Sequence, residues 1–145
     1  MGSTYWNNTT YNYIKFATLK IFSKMKEQIA IQKYHIDMLD QIFEIERKVE
    51  AIQESNSIQR NIKKMKEIFE NIYASSSTEL DTGLTYHNPI GEEYNETRTD
   101  LEASIAGGST ENLIVIEVIK PIIRYRKGGI NMIVRKGIVV VETKK

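Results

Sequence analysis

The chain holds two histidines, His35 and His87, and three glutamates, Glu92, Glu93 and Glu96, gather just beyond the second. An imidazole can carry protons, and clustered carboxylates can hold a hard cation. A calcium site needs six or more oxygens in a fixed loop, whereas this carboxylate-rich segment reads as a solvated one. His35 falls in a stretch rich in Lys, Glu and Gln and reads as a solvated helix residue. Gly107-Gly108 and Gly128-Gly129 are not followed by the Lys-Ser/Thr of a phosphate-binding loop, and Gly-x-Ser-x-Gly does not occur. With no cysteine, thiolate metal sites and disulfides are excluded. No catalytic residue, metal or cofactor is therefore expected, and the chain does not read as an enzyme. Arg124-Tyr125-Arg126-Lys127 carries a different chemistry, charge joined to an aromatic, and that suits binding.

The elements that would present this cluster are strands. From Leu113 to Glu142 the apolar residues are mostly β-branched and come in short runs cut by Pro121, Gly128-Gly129 and Lys136-Gly137. Val and Ile fit a pleated surface, and Gly supplies the positive φ of tight turns. This predicts strands at 113–119, 122–126, 130–135 and 138–142, with Pro121 at an edge or bend because it cannot donate to a ladder. Thr99, Leu101, Ala103 and Ile105 alternate with polar neighbours, which predicts another strand that Gly107-Gly108 would turn back onto 113–119. The result is a small, mostly antiparallel β-domain over 97–145.

Upstream the pattern changes. Residues 1–12, with Trp6, tyrosines and a run of Asn and Thr, read as a disordered leader. From Tyr13 to Tyr73 there is neither Gly nor Pro, so 13–74 is predicted to be a long helix of about forty residues, roughly 60 Å, followed by a shorter one capped by Ser55 or Ser57. Met38, Ile42, Ile45, Val49 and Ile52 repeat at four-three spacing, as do Ile58, Ile62, Met65, Phe69 and Ile72. A helix that long needs a partner, and no second one of matching length exists in the chain. These ten residues are therefore assigned to dimerisation, in a homodimer built on a paired-helix coiled coil completed to four helices by the shorter segments. Residues 75–96, with Ser75-Ser76-Ser77 and Asn88-Pro89, read as linker and loop. The predicted class is α+β.

Charge is distributed unevenly. Glu79 to Glu117 holds nine acidic residues against one basic, and Val118 to Lys145 eight basic against one acidic. Adjacent blocks of opposite sign pair most simply with each other, the alternative being a charged docking face. Nothing approaches eighteen consecutive apolar residues and no secretory signal pattern is present, so a cytoplasmic protein without a membrane span is expected.

The order of parts, helices, a Gly and Asn-Pro loop, then a β-domain ending in a Val-rich strand, resembles the GrpE family, the dimeric nucleotide exchange factors of DnaK-type heat-shock chaperones. The resemblance spans about 39–142. Ile45-Glu46-Arg47 is similar to a Leu-Glu-Arg of the family's helix. Asn88, Pro89 and Glu93 match its Gly-x-x-Phe-Asp-Pro-x-x-His-Glu-Ala loop, with Tyr86 or His87 standing for the Phe. Ile133-Val134-Arg135 and Ile138-Val139-Val140-Val141 follow its Val-Leu-Arg-Pro-Ala-x-Val-x-Val, with Lys136-Gly137 in place of Pro-Ala. What the resemblance implies is mechanical: a β-domain that opens the chaperone's nucleotide-binding domain and promotes ADP release. By position, Asn88, Pro89, Glu93, Arg124, Arg126, Lys127, Asn131, Arg135 and Lys136 would touch the partner, Arg135 reading equally as an internal ion pair with the acidic block. Two other readings stand beside this one. The first is a dimeric scaffold or adaptor whose β-domain binds another protein; the second, ranked third because the acidic block opposes phosphate, is a nucleic-acid-binding β-domain.

Overall fold

The structure is a computed structural model and describes residues 31–52, 56–75 and 81–144, nearly all within one unit, Tyr34–Lys145. Two helices, α1 (Lys33–Glu50) and α2 (Asn56–Glu70), precede seven strands: β1 (Gly83–His87), β2 (Glu93–Tyr94), β3 (Leu101–Ile105), β4 (Leu113–Lys120), β5 (Ile122–Lys127), β6 (Ile130–Arg135) and β7 (Gly137–Thr143). The strands form two sheets, β1-β5-β6 and β2-β4-β7-β3. All pairings are antiparallel except β3 with β7, which is parallel.

This corrects the expected architecture. Among the described residues the fold is mostly β, with two short helices, no long helix and no coiled coil. The leader at 1–12 and the upstream helix over 13–30 lie outside the described residues, as do Ser55 and most of the Ser-rich linker. Where α1 is described, its apolar face turns inward onto its own chain. Leu39, Ile42, Phe43 and Val49 are buried, and α2 buries Ile62 and Phe69. These positions follow a helical period of 3.6, and the set includes Leu39 and Phe43, which a four-three count begun at Met38 passes over. The assigned stripe is thereby divided. Ile42, Val49, Ile62 and Phe69 belong to the interior and Met65 and Ile72 are half-buried, whereas Met38, Ile45, Ile52 and Ile58 stay exposed. The β-sheets supply the apolar surface that a second long helix was invoked to provide.

The core explains why the helices settle there. Phe43 enters a cluster with Leu101, Leu113, Val115, Val118, Ile122, Val139 and Val141, and its ring meets that of Tyr86 edge-on at 5.8 Å between centroids. Glu46, one turn on, accepts hydrogen bonds from the Tyr86 hydroxyl and from Lys66 Nζ (3.1 Å), so α1, α2 and β1 share one polar knot beside the core. Burial and then the Glu46 carboxylate hold the Tyr86 phenol well above its ordinary range, keeping it a donor. At the end of α2, Gly83 passes so close to the helix that a Cβ would lie 2.1 Å from the Phe69 carbonyl oxygen. Only a residue without a side chain fits.

The chain passes between sheets three times, between β1 and β2, at Pro121 and at Lys136. Pro121 is fully buried and ends the β4 ladder, since it has no N–H to donate. Arg135 closes the crossing: its guanidinium donates to the Pro121 carbonyl (3.2 Å) and grips Asp40 of α1 with both Nη atoms, one at 2.6 Å. The strand over 101–105 does not turn back onto β4 as expected. The connection 106–112 is long enough to carry the chain past it, and β7 lies between them, with Leu101 beside Gly137 and Ile105 beside Val141.

Candidate partner-binding site

The hairpin β5–β6 is built from local rules. Gly128 and Gly129 have φ of 53° and 84°, so the two-residue turn is of the I′ kind whose twist matches the strands it joins. Register then sets the faces. Tyr125 lies opposite Met132 and Leu84, towards the core, while Arg124 lies opposite Ile133 and Thr85, and Arg126 opposite Asn131, on the outer side. Thr85, His87, Arg124, Arg126 and Asn131 thus line an open cleft of about 530 Å³ on the outer face of the three-stranded sheet.

A chain of charges rims this face. His87 Nε2 meets Glu92, Arg98 donates to Glu92 (2.8 Å) and to both oxygens of Asp100 (3.0 and 3.1 Å), and Arg124 donates to Asp100 (3.0 Å). The Arg98 hydrogen bonds hold the Asp100 carboxyl below its ordinary range against the opposing effect of burial. For Glu92, burial raises the pKa, but hydrogen bonds from Arg98 and His87 outweigh it and the net shift is downward. Asp100 in turn pushes the Arg98 guanidinium up. A carboxylate depressed in the folded state stabilises it above the unfolded pKa, and that contribution is lost as pH falls through the folded one. Stability should therefore be level above about pH 5 and fall on acidification below the ordinary values of 3.8 for Asp and 4.5 for Glu. Asp100→Asn should lower stability at neutral pH by about 1 kcal/mol, discounted for partial exposure, and flatten that acid slope, as urea unfolding at pH 3 and pH 7 would read.

The residues assigned to partner contact do not all meet. Arg124, Arg126 and Asn131 share the cleft, with Lys127 at the turn and Lys136 beyond the other end of β6. Among the described residues Arg126, Lys127 and Lys136 have no acidic partner. Arg135 faces inward, held by Asp40 of α1 and not by the acidic block. Of the two blocks, only the Asp100–Arg124 pair joins one to the other among the described residues. Asn88 uses its Oδ1 to accept from the Ile90 amide (3.2 Å), an Asx turn, and Pro89 is fully buried, so both shape the loop. Glu93 sits on β2 in the other sheet.

Sequence reasoning missed the apolar part of this surface. Ile130 is 56% exposed, Met132 39% and Ile133 43%, so β6 shows apolar side chains on both faces. The signal was present: Ile130, Met132, Ile133 and Val134 put apolar residues on both faces of a strand that ends its sheet. Among the described residues no group of His, Asp or Glu could hold a metal ion, and no helix is long and apolar enough to cross a membrane. Compared with known proteins, the chain matches no family model, no curated protein and no solved structure.

Proposed function

We propose that this chain is a GrpE-like nucleotide exchange factor, a binding protein without chemistry of its own, which opens the nucleotide-binding domain of a DnaK-type chaperone and promotes ADP release. The observation that supports this reading is the β5–β6 hairpin. It presents Ile130, Met132 and Ile133 exposed beside Arg126 and Lys127, cations without an acidic partner among the described residues. Exposed apolar side chains ringed by uncompensated charge are what a protein contact requires. The motif resemblance at Asn88-Pro89 and over 133–141 supplies the choice of partner. In energetic terms the hairpin would bind the open chaperone better than the closed one, and that difference in affinity sets how far the equilibrium moves.

Met38 and Ile45 on α1, Ile58 on α2 and Ile52 just beyond α1, all exposed, would be covered by a second copy of the chain, as sedimentation equilibrium would read. The adaptor reading uses the same hairpin with a different client. It is favoured by Arg135, whose family-like position is spent on an internal pair with Asp40.

The test is the release rate of a fluorescent ADP analogue from the DnaK-type chaperone of the same cell. Acceleration should be strong, and Arg126→Ala with Lys127→Ala should reduce it by about tenfold or more with folding unchanged, because both side chains are peripheral to the core. No acceleration by well-folded protein rules out the exchange reading in favour of the adaptor.

A further inference from the structure

The open edge of β6 has a definite hydrogen-bonding character. The two-residue turn makes Lys127–Ile130 the closing, hydrogen-bonded pair of the hairpin. Antiparallel pairs alternate, so Arg126–Asn131 is a non-hydrogen-bonded pair and Tyr125–Met132 is again bonded. The backbone N–H and C=O of Asn131 accordingly point away from β5, and among the described residues no strand lies on that side. Natural edge strands are blunted by inward charges, proline or cover, yet β6 carries Ile130, Met132 and Ile133 exposed along this edge.

The side chains say what could complete it. By register Ile130 and Met132, both apolar and exposed, stand on the face that carries Tyr125, Ile130 also bordering the cleft; on the outer side stands Asn131, paired with Arg126 of β5. Neither β5 nor β6 contains an acidic residue, and Lys127 and Lys136 flank β6 at its two ends. Pairing β6 with its own copy would bring these cations together. We propose that β6 is a strand-addition site for an extended segment of a partner protein in which acidic and apolar residues alternate, the acids over Arg126 on the outer face and the apolar residues against Ile130 and Met132. The proposal rests on the hairpin being the contact surface of the exchange or adaptor reading, but its test needs no chaperone.

A capped nonapeptide alternating Glu and Val would be titrated into the full chain and followed by amide NMR shifts. Saturable binding is expected, centred on the Asn131 amide. A block arrangement of the same residues, and a Lys-Val peptide, should bind about tenfold more weakly or worse. Asn131→Pro removes the outward N–H without touching the β5–β6 ladder and should weaken binding by about tenfold or more, while Asn131→Ala, which keeps it, should stay within about twofold. Should the proline variant fail to fold, Ile133→Glu, at an exposed position, puts an acid on the outer side of β6 and should also abolish binding. No binding at millimolar peptide, equal binding of the block or Lys-Val peptide, or wild-type affinity in folded Asn131→Pro would overturn the proposal. So would self-association of the chain that Asn131→Pro abolishes. Peptide binding without faster ADP release would keep this site and remove the exchange reading. Faster ADP release that Asn131→Pro leaves unchanged, with no peptide bound, would do the reverse.

Discussion

Phe43→Ala is expected to destabilise the protein by about 3–5 kcal/mol, the usual cost of emptying an aromatic site in a packed core. The ring is 2% exposed and lies among side chains from β3, β4, β5 and β7, so its loss leaves a hole that several strands must close together. It also removes the edge-on partner of Tyr86, on the strand that carries the helix-to-sheet knot with Glu46 and Lys66. A domain of this size has stability of only about 5–15 kcal/mol, so the variant would stand close to unfolding at 37 °C. The paired control is Met38→Ala, at a position 52% exposed in the single chain, expected to change stability by less than about 0.5 kcal/mol when measured at concentrations too low for two copies to pair. Urea midpoints of the two variants would compare the two faces of α1 directly. A large loss at Met38 with a small one at Phe43 would mean that the helix buries the opposite side.

Gly83→Ala should cost about 3 kcal/mol or more for a different reason. Here nothing is removed; one methyl is forced into backbone. Its Cβ would lie 2.1 Å from the Phe69 carbonyl oxygen and 2.5 Å from the Glu70 carbonyl carbon, atoms that cannot rotate away as a side chain could. Either α2 must withdraw from β1 or β1 must leave its register with β5, where Gly83 stands opposite Arg126. Gly91→Ala provides the contrast: φ is 78° but no atom lies within 4 Å of the added carbon, so only backbone strain of about 1 kcal/mol is expected. Thermal melts of the two variants, measured side by side, would separate collision from strain. A Gly83→Ala melt no lower than that of Gly91→Ala would contradict the close approach of α2 and β1.

The strands of the C-terminal third were legible because their determinants are local. β-branched runs and the Gly128-Gly129 turn place β4 to β7 within a residue or two of where they lie, and alternation puts Arg124 and Arg126 on one face. What was not legible depends on distant parts of the chain. β1 was read as loop, since Gly83 and the four residues of mixed polarity after it carry no strand signal apart from their pairing with β5. The inward face of α1 was missed because seven-residue counting finds a stripe beginning at Met38 as readily as one through Leu39 and Phe43, and only the sheet decides between them. Arg135 shows the same limit within the site. Its partner, Asp40, stands 95 positions earlier, while the acidic block seemed the nearer choice along the chain.

The parallel pairing of β3 with β7 bears on the order in which the domain can assemble. The β5–β6 turn brings its strands together across two residues, whereas Leu101 must find Gly137 across 36 positions and only after the intervening strands have been laid down. Closing that larger loop costs more chain entropy before any contact rewards it. β3 is held on one side only, by β7, so the edge that is fastened last has a single ladder to break when the domain begins to open.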